Sequence, residues 1–324
     1  MIVLGIEGTA HTLGVGVIDG DYKVLADVRD TYSPKDGGIH PRDASQHMSS
    51  SLAADVEKAL NEAGTTYSDL SLISFSQGPG LGQCLRTVGT AARTLALYHK
   101  KTLVGVNHCV AHIEVGKVLS GFENPLILYV SGANSQVIKL KDGRYRVFGE
   151  TLDIGIGNML DKFGRRVGLP HPAGPKIEKL ANEGRNFIEL PYVVKGTDMS
   201  FSGILTSAIQ KFESGQPLED ICFSLQETSF AMLCEVCERA LAHLKAKEVL
   251  LAGGVGYNKR LQQMIRAVAE EHGAAFDFPG PYMGDNGVMI AMTALKMYNA
   301  GISTKPEEST VDPNQRTDDI DISW

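Results

Sequence analysis

The chain opens twice in the same way. Ile2-Val3-Leu4-Gly5-Ile6 is a short apolar strand, a polar turn holds Thr9 and His11, and the run from Leu13 to Asp19 resumes with Val15 and Val17 alternating with the small Gly14 and Gly16, which reads as a hairpin with a glycine-rich tip. The theme returns at Leu126-Ile127-Leu128-Tyr129-Val130, followed by the tight turn Ser131-Gly132-Ala133-Asn134, a strand from Gln136 to Leu140 and a further hairpin turn at Asp142-Gly143. Two segments that each start as strand, small-residue turn, strand read either as two ordinary hairpins or as the openings of a duplicated lobe. The 324 residues suffice for two hydrophobic cores, so lobes over 1–124 and 125–324 are expected. Twin lobes facing each other across a cleft make a ready nucleotide site.

The remaining pattern is α/β. From Pro41, Ala44, Met48, Leu52, Val56 and Leu60 recur at helical spacing until Gly64. Leu72-Ile73-Ser74-Phe75 is a strand, Gly78-Pro79-Gly80-Leu81-Gly82 a loop, and the helix after it turns Leu85, Val88, Ala92 and Leu95 inward. Thr102 to Val106 is the next strand, and Asn107 is placed to cap a helix beginning at His108. In the second half, helices are expected over 158–167, 175–183, 201–212, 218–245, 259–270 and 285–298. A buried strand, Val249-Leu250-Leu251-Ala252, leads into the glycine turn Gly253-Gly254-Val255-Gly256.

Composition excludes several classes. A formal charge of -7 lacks the basic excess of a stand-alone nucleic-acid binder, so contact with a nucleic acid would need basic partners. Five cysteines, an odd number, do not read as a disulfide framework and fit a reducing compartment; Cys234 and Cys237 in an apolar stretch read as core filling. The first residues read as a strand rather than a leader, and no apolar run reaches the ~20 residues that span a bilayer. The expectation is a soluble cytoplasmic protein without a membrane partner.

Chemistry is concentrated in a few strings. In His108-Cys109-Val110-Ala111-His112 two imidazoles stand four residues apart on a helix, and read either as two half-buried helix histidines or as a pair that faces one ion. The zinc-peptidase signature needs a glutamate where Cys109 stands, which disfavours a metallopeptidase. Oxygen ligands must come from elsewhere; Tyr129, ending a core strand, and Asp285, heading a helix, are candidates. Ser131-Gly132 and Gly253-Gly254 each follow a strand, where amides can approach phosphate without a Cβ in the way. Asp161 and Glu178, on helices between these turns, read either as solvated faces or as acceptors for ribose hydroxyls. Neither a Walker lysine loop nor a dinucleotide fingerprint is present in the sequence.

Taken in order, Gly5-Ile6-Glu7-Gly8-Thr9 with His11-Thr12, Asn107 to His112, Tyr129-Val130-Ser131-Gly132, Gly149-Glu150-Thr151-Leu152-Asp153, Met199-Ser200-Phe201-Ser202-Gly203, Ala252-Gly253-Gly254-Val255 and Asp285-Asn286-Gly287 resemble the universal tRNA threonylcarbamoyladenosine transferase family, formerly the glycoprotease family. The match runs through nearly the whole chain and looks like the archaeal and eukaryotic branch, the catalytic subunit of the KEOPS complex. The resemblance implies a duplicated actin-like ATPase (ASKHA) fold with an interlobe cleft. It further implies transfer of a threonylcarbamoyl group from threonylcarbamoyl-AMP to N6 of an anticodon-adjacent adenosine in tRNA. His108, His112, Tyr129 and Asp285 fall where the family holds a catalytic iron or zinc; Tyr129, Val130, Ser131, Gly132, Ala133, Asp161, Gly174, Glu178 and Asn258 fall on substrate contacts, a site that ATP can also occupy. Ala133 and Ala173 stand where glycines are usual, and Gly256-Tyr257 replaces small alanines before Asn258. The implied partners are a small atypical kinase, a dimerisation subunit and a tRNA-binding subunit. An ATP-hydrolysing or small-molecule kinase of the same fold, and a scaffolding protein, are the alternatives.

Overall fold

The structure is a computed structural model that describes residues 1–33 and 39–324. Its contacts divide the chain into two units: the first comprises residues 1–119, 142–145 and 284–324, the second residues 120–141 and 146–283. The expected single break after residue 124 differs from this division, because the chain from Gly284 onward returns to the first unit.

In the first unit, β1 (Ile2–Glu7), β2 (Thr12–Asp19) and β3 (Val24–Thr31) are followed by α1 (Pro41–Glu62), β4 (Leu72–Gly78), α2 (Gly82–His99), β5 (Thr102–Asn107) and α3 (His108–Ser120). The sheet order is β3-β2-β1-β4-β5; the first three strands are antiparallel, and β4 and β5 join parallel to β1. The helical stripe read from Ala44 to Leu60 is the buried face of α1, with Leu52 packed against the same core. Asn107 caps α3 as its position suggests, its Oδ1 accepting the Val110 amide at 3.0 Å.

The second unit contains β6 (Leu126–Val130), β7 (Ser135–Lys141), most of β8 (Arg144–Glu150), α4 (Ile156–Arg166), α5 (Gly174–Ala181), the short pair β9 (Val194–Lys195) and β10 (Asp198–Met199), α6 (Ser202–Glu213), α7 (Leu218–Leu244), β11 (Glu248–Ala252), α8 (Lys259–Glu271) and β12 (Ala275–Asp277). Its sheet, read as β8-β7-β6-β11-β12, has the first sheet's order strand for strand, with β6 antiparallel to β7 and parallel to β11. This is the duplication announced by the repeated opening. β3 and the three-residue β12 carry no clear sequence signal and were not anticipated.

The last helix, α9 (Gly287–Asn299), packs on the first sheet. A side chain at Gly16 would place its Cβ 2.3 Å from the Val288 nitrogen, and one at Gly5 would lie 2.2 Å from the Gly287 oxygen. Gly14 and Gly16, which the sequence places in the strand run from Leu13 to Asp19, lie within β2 as the flat seat of a helix backbone.

Asp153, on the loop before α4, accepts the Phe201 amide at 2.9 Å and the Ser202 amide at 3.0 Å, so it holds the start of α6. Burial opposes its charge, but the Ser202 hydroxyl and the three amides outweigh burial and lower the carboxyl from 3.8 to about 2. A depressed folded-state value contributes stability that is present above pH ~4 and lost as pH falls toward ~2. Asp153→Asn should therefore unfold earlier than wild type in urea at neutral pH, by a small margin for so exposed a group. The two midpoints should converge on acidification from pH ~4 to ~2; a constant gap would show that charge plays no part.

Candidate functional site

Elementary geometry places the two histidines of α3 on one face, since residues four apart on a helix are neighbours. His112 is 1% and His108 8% exposed, with ring centroids 4.6 Å apart and planes at 88°. Asp285 lies just ahead of α9 rather than inside it: Asn286 is the cap, accepting the Met289 amide at 2.8 Å, and this places the Asp285 carboxylate beside the imidazoles. Its Oδ1 is 3.2 Å from His112 Nε2 and 3.6 Å from His108 Nε2, and the two Nε2 atoms are 3.2 Å apart. All three candidate ligand atoms lie within 4.8 Å of one another.

Sequence reasoning passed over the residue beneath this cluster. Glu7, ending β1, is fully buried; its Oε1 accepts the Thr9 amide at 2.8 Å and hydroxyl at 2.5 Å, and its Oε2 lies 3.1 Å from His108 Nδ1. An ionised carboxylate only accepts, so Nδ1 carries the proton and Nε2 is aimed at Asp285 and His112. The signal was available: a glutamate closing an otherwise apolar strand requires a partner.

Burial disfavours a charged imidazole at both histidines. At His108 the charge and hydrogen bond of Glu7, helped by Asp285, overcome burial and raise the group to about 9. At His112 burial prevails over the Asp285 bond, the His108 charge adds to it, and the group is lowered. Asp285 would be pushed up by burial alone, but its bond to His112 and the charge at His108 bring it far below the usual carboxylate range. Two imidazoles with one carboxylate, backed by a second carboxylate on the remote ring nitrogen of His108, form a donor set suited to a divalent or trivalent transition metal.

Tyr129 belongs to the second unit, where it is the penultimate residue of β6 and fully buried. Beside it Gly253 has φ +92, and a Cβ there would lie 2.3 Å from the Val130 oxygen, so the first position of the turn after β11 admits only glycine. The turn after β6 is tied to α4: Ser131 O accepts the Gly157 amide at 3.1 Å and Gly132 O the Asn158 amide at 2.9 Å, while Ala133 stands exposed. By contrast, a Cβ on Gly174 or Gly254 would meet nothing within 4 Å, and one on Gly132 only Asn158 Oδ1 at 3.5 Å. The protein's own packing does not call for glycine at these three positions.

The carboxylates nominated for ribose are oriented from within the unit. Asp161 Oδ1 accepts the Ala173 amide at 2.8 Å with His171 Nδ1 3.4 Å from its Oδ2, and Glu178 Oε1 accepts the Lys259 amide at 2.7 Å. Asn258 caps α8 through the Leu261 amide at 3.1 Å, and its Nδ2 donates to Gln226 Oε1 at 2.8 Å. Glu178 and Asn258 thus meet at the start of α8, whereas Asp161 lies by the loop before Gly174; Gln226 was not foreseen.

Repeated sheets of mixed order, glycine turns after the neighbouring parallel strands β6 and β11, and a histidine–carboxylate cluster in the first unit define an α/β protein of the duplicated actin-like ATPase fold with a candidate metal centre. Among solved structures, T. kodakarensis HypF is similar at TM-score 0.63 and 16% identity, over 92% of this chain and 48% of that one, a likeness of fold alone. The family model described as "TsaD: tRNA N6-adenosine threonylcarbamoyltransferase" matches residues 23–292, and the chain belongs to this family. The tRNA N6-adenosine threonylcarbamoyltransferase of Archaeoglobus fulgidus is 55% identical over the full length of both chains. A probable bifunctional tRNA threonylcarbamoyladenosine biosynthesis protein of Methanobrevibacter smithii is 54% identical over the whole of this chain, which spans 60% of that relative's length.

Proposed function

We propose that this chain transfers the threonylcarbamoyl group of threonylcarbamoyl-AMP to N6 of an adenosine next to the anticodon of tRNA. The observation that carries the reading is the convergence of His108, His112 and Asp285 in a chain of this family. The N6 nitrogen forms a bond to the carbamoyl carbon and sheds a proton to water, while the bond from that carbon to the phosphate oxygen breaks and AMP leaves with the electron pair. AMP is a good leaving group, so no protein nucleophile is needed and positioning does most of the work.

His108, His112 and Asp285 hold the ion, iron or zinc, with Tyr129 keeping the ligand role that the resemblance implies. When bound, the ion supplies positive charge that polarises the carbonyl. Glu7 keeps the His108 ring turned toward the cluster. Gly132, Gly174 and Gly254, where a side chain would meet little or nothing of the protein, leave backbone open to the nucleotide; ATP is an alternative occupant. Val130, Ser131 and Ala133 belong to the same turn, and Asp161, Glu178 and Asn258 serve the nucleotide's sugar and base. A net charge of -7 supports a requirement for basic partners on tRNA, of the kind supplied by KEOPS-like kinase, dimerisation and tRNA-binding subunits. Among the described residues no helix is long and apolar enough to cross a membrane, and the proposed location is the cytoplasm.

The test mixes the purified chain and its partners with unmodified tRNA, threonine, bicarbonate, ATP and an adenylate-forming enzyme, followed by nucleoside analysis. Threonylcarbamoyladenosine that appears only when the chain is present is the expected result. Its absence from a mixture that contains the adenylate would overturn the reading.

A further inference from the structure

A second buried polar cluster lies on the other side of α3. Glu114 is 1% exposed, and about 200° of helix rotation separates it from His112, so it leaves the helix nearly opposite the metal-facing imidazole. Its Oε2 accepts from Lys296 Nζ at 2.7 Å. Its Oε1 accepts a short hydrogen bond from the Tyr145 hydroxyl and lies 3.7 Å from Lys117 Nζ, and Lys117 Nζ also donates to the Tyr145 oxygen at 3.4 Å. Burial and then the Glu114 charge raise the Tyr145 hydroxyl well above its ordinary value, so the tyrosine keeps its proton and remains a donor. A charge buried this deeply is tolerated only with several partners, and the reaction described above uses none of these four residues.

The placement of the partners gives the cluster a purpose. Lys296 is in the last turn of α9, the same helix whose beginning carries Asp285 against His108 and His112. Roughly 14 Å of rigid helix, at about 1.5 Å per residue, therefore separates the point where α9 meets the imidazoles from the point where it meets Glu114. Rolling α3 about its own axis, or sliding α9 along it, moves the imidazoles off Asp285 only if the Glu114–Lys296 pair also breaks.

We propose that Glu114 is a positioning residue for the metal centre: with Lys296 and Tyr145 it clamps α3 to α9 and so sets the distance between the histidine pair and Asp285. The inference rests on the metal reading of that cluster. The clamp works before any ion arrives, so it contributes preorganisation of the ligands rather than a ligand of its own.

The test is Zn²⁺ affinity of the purified chain, measured by competition with a chromophoric chelator, in wild type, Glu114→Gln and Lys296→Met. Circular dichroism of the metal-free proteins confirms that each is folded. Lys296→Met alters a partly exposed side chain and remains informative if Glu114→Gln does not fold. Each substitution should weaken Zn²⁺ binding about tenfold, in the range seen when outer-shell support of a ligand is lost, and the double variant should be no weaker than either single one, because both remove the same pair. Folded variants that bind Zn²⁺ as wild type does, even with reduced stability, would mean that the cluster is structural only and would overturn the inference while leaving the metal reading intact. A wild-type chain that takes up no ion overturns both.

Discussion

His112→Ala abolishes metal uptake and threonylcarbamoyl transfer together while the chain stays folded: this is the largest effect expected of any single substitution. His112 is 1% exposed, and its Nε2 stands 3.2 Å from both His108 Nε2 and Asp285 Oδ1, so removing it takes away the central member of the three-atom cluster. Loss of an outer-shell partner typically weakens metal binding by about 10–100-fold, and loss of a ligand should exceed that. Glu7→Gln supplies the graded comparison. It retains one acceptor for Thr9 but weakens the hold on His108 Nδ1, and it should fall within about 10–100-fold. Metal content after dialysis, measured beside single-turnover transfer, decides the matter. A metal-free His112→Ala protein with wild-type transfer would remove the ion from the reaction.

The second large effect concerns a residue that touches no candidate ligand. Gly16→Ala should destabilise the first unit by about 2–3 kcal/mol, the cost of overpacking a close contact, and also weaken Zn²⁺ binding. The new methyl would meet the Val288 nitrogen at 2.3 Å and the Gly287 carbonyl carbon at 2.5 Å, both backbone atoms that can yield only if α9 moves. Asp285 is attached to the start of that helix, so the displacement reaches the cluster. The same substitution at Gly174, where a Cβ meets nothing within 4 Å, should leave stability almost unchanged. Denaturant melts of the two metal-free variants check the contrast, and equal stabilities would contradict the seating of α9 on the first sheet.

These two cases mark what could be read from letters. Periodicity was enough for α1, because its buried residues recur at helical spacing, and for the duplicated opening, because both copies alternate in the same way. Spacing was enough for His108 and His112, since four residues on a helix bring two rings together whatever surrounds them. The resemblance to the transferase family, carried by strings distributed from Gly5 to Gly287, agrees with the family match over residues 23–292. Gly14 and Gly16 were read as strand residues, but their role as the seat of α9 was not, because a glycine in a strand gives no indication of what lies on it. Glu7 was quoted in a motif without being given a role, and Glu114 was not considered, since both owe their meaning to partners roughly a hundred or more residues away.

By itself, then, the sequence determined what local physics controls: the strand and helix types, the doubled order of the two halves, the shared face of the histidine pair and the family. Tertiary structure alone decided that the chain beyond Gly284 returns to the first unit, delivers Asp285 to that pair, and is held there by glycines on one side and Glu114 on the other. The physical reason is range. Backbone periodicity and capping act over a few residues, whereas the packing and charge pairing that assemble this centre join segments that only the folded chain brings together.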